Sequence, residues 1–156
     1  MANRKNTEPK SKKNYLQYAV PAMIIIAAII ILNPVMDNGI LFGWDDTEYL
    51  TNEDVQDLNI SNIFSDYHLG MYQPLAVTSI AINYASAQES AGAYHATNLL
   101  LHAFNIFLVW LLLWRLSRKR MLAGIGAFLF AMHPMNVEAV AWISARSTLI
   151  FTSFYL

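Results

Sequence analysis

The chain has 156 residues, 56% of them hydrophobic and only 13% charged, with a net charge of -1; this is the profile of a membrane protein. It has no cysteine, which excludes a disulfide framework and a cysteine-ligated zinc or iron–sulfur site. Its basic residues flank apolar runs instead of gathering with aromatic readers on one surface, which argues against a nucleic-acid partner.

The two signs of charge are segregated. Of eleven acidic residues, nine lie between Asp37 and Glu89, where there is no Lys or Arg. The basic residues are Arg4, Lys5, Lys10, Lys12 and Lys13, then Arg115, Arg118, Lys119 and Arg120, with Arg146 apart from both groups. Such clusters read as topology signals.

Residues 1–15 are polar, basic and aperiodic, and predict a disordered cytoplasmic tail. From Leu16 to Met36 no charge appears for 21 residues, enough to cross a hydrocarbon core of roughly 30 Å at about 1.5 Å per residue. This is the first predicted span, 16–36. A cleaved signal peptide is the alternative, but the run is long for one and lacks the small-residue cleavage pattern. The basic leader places the amino terminus in the cytoplasm and the acidic stretch outside.

Residues 37–93 form a long outer loop with helical signals of its own. It opens on Gly43-Trp44-Asp45-Asp46-Thr47-Glu48-Tyr49, where adjacent carboxylates repel one another and are poised for proton abstraction or cation binding. A divalent cation at Asp45 and Asp46 is the cofactor these acids suit, although they supply fewer oxygens than a full shell needs. The plain alternative is solvated loop surface. Thr51-Asn52 reads as a helix cap with Glu53 and Asp54 in the first turn, and Ser61-Asn62 as a cap before Ile63-Phe64. Pro74 suits the first turn of an interfacial helix running to about Ala87, with Leu75, Val77, Ile80, Ala81 and Tyr84 opposite Thr78, Ser79 and Asn83.

The second predicted span is 95–114. Within it His95, Asn98, His102 and Asn105 recur on one helical stripe. Polar groups in lipid are costly, so the stripe predicts interhelical hydrogen bonds rather than a metal site. The third span, 121–137, reaches the lower length limit only by including His133-Pro134, where proline bends or ends a helix. After three crossings Glu138 and Arg146 fall on the outer side, the side of Asp45 and Asp46. Gly124 and Gly126 predict close helix packing. Residues 147–156 begin a fourth span that stops midway, so the chain is expected to be a fragment.

Four blocks, taken together, carry a family resemblance: Trp44-Asp45-Asp46-Thr47-Glu48-Tyr49-Leu50, Tyr72-Gln73-Pro74-Leu75, Tyr94-His95-Ala96-Thr97-Asn98-Leu99-Leu100-Leu101-His102, and the run from His133 to Ile143. In this order and spacing they resemble the amino-terminal membrane portion of the tetratricopeptide-repeat membrane glycosyltransferases, similar to the transmembrane O-mannosyltransferases of the GT-C fold. The resemblance implies an all-α, multi-pass, GT-C-like helical bundle in the lipid bilayer. It also implies a polyprenyl-phosphate-linked sugar as donor, and a protein or glycan hydroxyl as acceptor on the outer face.

Carried over, Asp45 or Asp46 is the catalytic base, with Asp45 favoured. Glu138, Arg146, Glu48 and His133 bind substrate, Arg146 suiting the donor phosphate. Family members often carry an acid soon after that arginine, whereas Ser147 and Thr148 stand here. The expected location is a bacterial inner membrane. Two other readings compete: a non-catalytic membrane module that binds lipid-linked sugar or partner subunits, and a cation transporter fragment whose outer acids form an electrostatic funnel.

Overall fold

In a computed structural model of the protein, residues 18–156 are described, and the expected amino-terminal tail and the first two residues of the first span lie outside them. The described residues are helical, without a named strand. Helix α1, Ala19–Leu32, continues into a 3-10 turn, Asn33–Asp37. Together they make an apolar rod of 19 residues. Most of it is uncovered: Met23, Ile26, Ile30 and Ile31 are exposed, as lipid-facing side chains would be.

Four helices occupy the acidic loop: α2, Asp45–Leu50; α3, Glu53–Gln56; α4, Ile60–Ser65; and α5, Pro74–Ala87. Asn52 caps α3 as the sequence predicts, its side chain accepting from the Asp54 and Val55 amides. The cap of α4 is Asn59 rather than Ser61 or Asn62. Asn59 accepts from the Asn62 amide, while Asn62 turns its own side chain to Asp54. Helix α5 has the predicted bounds. It buries Ala76, Val77, Ile80 and Ala81, leaves Leu75 exposed, and packs with Tyr49, Leu50, Val55, Ile63 and Tyr94 into an apolar core of the loop.

The long helix α6, Ala91–Ser117, has 27 residues and extends beyond the predicted span at both ends. At roughly 40 Å it exceeds the bilayer core. Helix α7, Arg120–Ala131, packs against it and against α1. A Cβ on Gly126 would sit 2.3 Å from Leu113 Cδ1, and one on Gly124 would sit 3.0 Å from Val20 Cγ1. The two glycines therefore set the close approach of α7 to both neighbours, as expected.

The third span does not run unbroken to Val137. Helix α7 ends at Ala131 after 12 residues, and a separate helix, α8, Met135–Ala141, follows. Pro134 cannot donate to the α7 ladder. Around it the Asn136 amide takes the Phe130 carbonyl at 2.6 Å, and His133 Nδ1 accepts the Met135 N–H at 3.3 Å. The last helix, α9, Arg146–Tyr155, lies beside α6. Asn98 of α6 meets Arg146, and Asn105 meets Leu149 and Ser153, so α6 and α9 run in the same direction.

These contacts sort the molecule into two ends. The acidic loop, the α6 start and the α8–α9 junction share one end. The basic turn from Arg115 to Arg120 and the start of α1 share the other, where Tyr18 meets the Trp110 ring.

Candidate active site

Gly43 opens the site in the left-handed region at φ +83, a conformation that a side chain would strain. Its N–H donates to Thr47 Oγ1 at 3.0 Å, and the chain turns there into α2 with Asp45, Asp46 and Glu48 in the first turn. One helical step then sends the neighbouring acids to different environments.

Asp46 points inward and is 1% exposed. Its Oδ2 accepts the Leu41 N–H at 3.2 Å, and its Oδ1 accepts the Ser144 N–H at 2.9 Å and the Ser144 hydroxyl. That last pair of contacts joins positions 98 residues apart. With donors on both oxygens, Asp46 is a fastener between the first acidic turn and the α8–α9 junction. Asp45 is half-buried, and its carboxylate accepts no hydrogen bond among the described residues. Burial, reinforced by the Asp45 charge, pushes the adjacent Tyr49 phenol up to about 12. That phenol accepts from the Gln73 amide. Glu48 is exposed on the same helix.

Glu138 comes to this end too. It lines a cavity of about 510 Å³ with Asn38, Leu41, Trp44, Ala141 and Trp142. Trp44 and Trp142 meet edge to face, their centroids 6.1 Å apart at 86°. His133 does not join them. It is exposed at the α7–α8 turn, where it serves the local bond to Met135.

Arg146 is 0% exposed. Its Nε donates to Asn98 Oδ1 at 2.8 Å, one terminal nitrogen to Asn83 Oδ1 at 2.7 Å and Ser79 Oγ at 3.2 Å, and the other to the Tyr94 carbonyl at 3.0 Å. The guanidinium also lies 5.8 Å from the Tyr94 ring centroid, a cation–π contact. A buried cation needs such a complete shell to offset its lost hydration. In this conformation Arg146 therefore ties α5, α6 and α9 together and does not open to a ligand.

Sequence reasoning missed that Ser79 and Asn83, placed on the solvent side of α5, form half of this shell. The signal was present: two polar residues four apart on one helix face, in a chain with one unclustered arginine. The polar stripe of α6 is buried as expected, and its asparagines make interhelical bonds: Asn98 donates to the Trp142 carbonyl at 3.0 Å and Asn105 to the Leu149 carbonyl at 2.9 Å. Among the described residues neither ring nitrogen of His95 makes a well-formed hydrogen bond, although the Gly39, Asn38 and Val140 backbone lies near the ring. No group of three or more His, Asp or Glu side chains gathers to hold a metal among the described residues.

Among the described residues two helices are long and apolar enough to cross a bilayer, and an acidic turn lies at their shared end, as in a helical membrane protein. Its relatives sharpen that class. The chain is 36% identical over 87 residues to Protein O-mannosyl-transferase Tmtc1 of Drosophila melanogaster, covering 56% of this chain and 10% of that protein. It is 33% identical over 85 residues to Protein O-mannosyl-transferase TMTC3 of Mus musculus, covering 54% and 9%. It is 28% identical over 129 residues to Protein O-mannosyl-transferase F38B6.6 of Caenorhabditis elegans, covering 78% and 18%. The chain is thus a relative of the membrane O-mannosyl-transferases and matches a segment of them. The matched segment spans less than a fifth of the length of these three relatives. No family model matches the chain, and no solved structure matches it at a significant level.

Proposed function

We propose that this chain forms the acidic-loop portion of a GT-C-like membrane glycosyltransferase. In this reading a sugar passes from a polyprenyl-phosphate donor to an acceptor hydroxyl on the outer face of a bacterial inner membrane, with the amino terminus cytoplasmic. The tetratricopeptide repeats and remaining spans belong to the rest of such a protein. The acceptor oxygen bonds to the anomeric carbon as the bond from that carbon to the phosphate oxygen breaks. Polyprenyl phosphate leaves with the electron pair, and the acceptor proton goes to Asp45.

The observation that carries this reading is the division of labour within the acid pair. Asp46, held by Leu41 and Ser144, fixes the geometry, while the half-buried Asp45 carboxylate beside it has no donor among the described residues and is the one free to meet an acceptor hydroxyl. Glu138, at the same end, supports substrate with the exposed Glu48, while His133, held in the α7–α8 turn, takes no part. Arg146 acts on donor phosphate only if its bonds to Ser79 and Asn83 are exchanged for phosphate oxygens. Otherwise it acts by holding the three helices behind the site.

Asp45→Asn, made in the protein at the full length its reading frame encodes, keeps the side chain's shape and removes the base. Turnover of a polyprenyl-phosphate sugar should fall by roughly 10²- to 10⁴-fold at unchanged expression. Full turnover in this variant would overturn the assignment.

A further inference from the structure

The cavity lined by Glu138 and two tryptophans has a composition that proton transfer does not explain. Six residues line it, and two are tryptophans, Trp44 and Trp142, contributed by segments far apart in sequence. Trp44 is 64% exposed in spite of its size. The two rings meet edge to face, and the exposure of Trp44 leaves much of its indole surface uncovered. The remaining walls are Leu41 and Ala141, with an amide from Asn38 and a carboxylate from Glu138 at the margin. Small-molecule sites are built in this way, with apolar walls and a few placed polar groups, and about 510 Å³ lies within their usual range.

We propose that this cavity is a subsite for one hexopyranose ring, with the Trp44 indole as its platform. A pyranose has a patch of ring C–H bonds on one face and hydroxyls around its rim. The C–H patch carries partial positive charge and is attracted to the electron-rich face of an indole, as the positive edge of an aromatic ring is. The rim hydroxyls find an acceptor in the Glu138 carboxylate and both donor and acceptor in the Asn38 amide. Neither a bare phosphate nor a lipid tail calls for this combination of aromatic walls with a carboxylate and an amide. The platform is also the residue immediately before Asp45 in the chain, at the N-terminus of α2. This assignment rests on the transferase reading and names the sugar-binding part of that site.

The test is equilibrium binding to the chain in lipid nanodiscs, with two labelled probes: a short-chain prenyl-phosphoryl mannose and the same prenyl phosphate without sugar. Wild-type protein should prefer the mannosyl probe by about tenfold or more, the scale of one stacking contact plus one charged hydrogen bond. Methyl mannoside should compete for the mannosyl probe only. Trp44→Leu and Glu138→Gln should each bring the preference towards one without weakening the sugar-free probe, and Trp44→Phe, which keeps an aromatic face, should retain most of it.

Equal binding of the two probes by the wild type would overturn the subsite, as would a preference unchanged by Trp44→Leu and Glu138→Gln. If Trp44 is instead a membrane anchor, brominated lipids will quench it equally with and without methyl mannoside, and that too overturns the proposal. None of these readouts depends on turnover, so a failed subsite and a failed Asp45 assignment are separate results.

Discussion

The two ends of this helical bundle are held together by different forces. At the acidic end the fasteners are directional and desolvated: Asp46 to Leu41 and Ser144, and Arg146 to Asn98, Asn83, Ser79 and Tyr94. At the basic end the described contacts between helices are mostly close and apolar, with a cation–π contact and local Ser117 hydrogen bonds beside them. Gly126 admits Leu113, Gly124 admits Val20, Trp110 stacks on Trp114, and Arg120 lies over the Trp114 ring. Apolar packing tolerates shape changes of similar volume, whereas a buried polar partner that is removed leaves its mate unsatisfied. The acidic end is therefore the specified end. It holds the chain in one geometry, as a site that must place a base beside a substrate requires.

The sharpest break of this comparison is topological, because the expected effect is all or none. If the acidic end faces outward, Ser65→Cys on α4 should react with an impermeant thiol reagent on intact cells, while Lys119→Cys in the basic turn should react only after permeabilisation. The reverse pattern would place the acidic site on the cytoplasmic side and remove the outer-face acceptor from the proposed reaction.

A smaller but still large effect is expected at Arg146. Replacing it with Met keeps much of the volume and strips the partners from Asn98, Asn83 and the Tyr94 carbonyl. Each buried acceptor left unpaired costs about 1–3 kcal/mol, and a denaturant titration of helicity in nanodiscs would measure the loss. If Arg146→Met were as stable as wild type, the shell would be incidental and the arginine's place would need a functional reason.

The legible parts of this molecule were those where local rules act alone. The apolar lengths of α1 and α6, the Asn52 cap, the Pro74 start of α5 and the two packing glycines all follow from short-range chemistry. So does the shared end of Asp45, Asp46 and Glu138, because counting crossings needs only charge placement. What was not legible depends on partners distant in sequence. Asp45 and Asp46 are neighbours of equal chemistry, and the partners that separate their environments are Leu41 nearby and Ser144, 98 residues on. Arg146 matches a ligand-binding arginine in sequence until Ser79, Asn83 and Asn98 arrive from other helices to enclose it. The predicted third span extends through His133-Pro134 to reach the length a crossing needs, although Pro134 can mark a helix end, and α7 stops at Ala131. The break is made by side-chain bonds to the backbone from Asn136 and His133.

The smallest expected effect lies on the α6 stripe, which divides by residue type. The asparagines bridge: Asn98 joins Arg146 to the Trp142 carbonyl, and Asn105 joins the Leu149 carbonyl to the Ser153 hydroxyl. His102 does much less. Its Nε2 lies 3.4 Å from the Ala131 carbonyl, a long contact, and its Nδ1 has no partner. Its ring sits 5.6 Å from that of Phe130, so much of its role is volume. A leucine there loses one weak bond and relieves one unsatisfied nitrogen, and these changes oppose each other. His102→Leu is therefore expected to shift stability by no more than about 1 kcal/mol, well below Arg146→Met in the same titration. A loss from His102→Leu as large as that from Arg146→Met would mean that His102 has a polar partner in the membrane, and the specified end of the molecule would extend at least two turns deeper than the acidic loop.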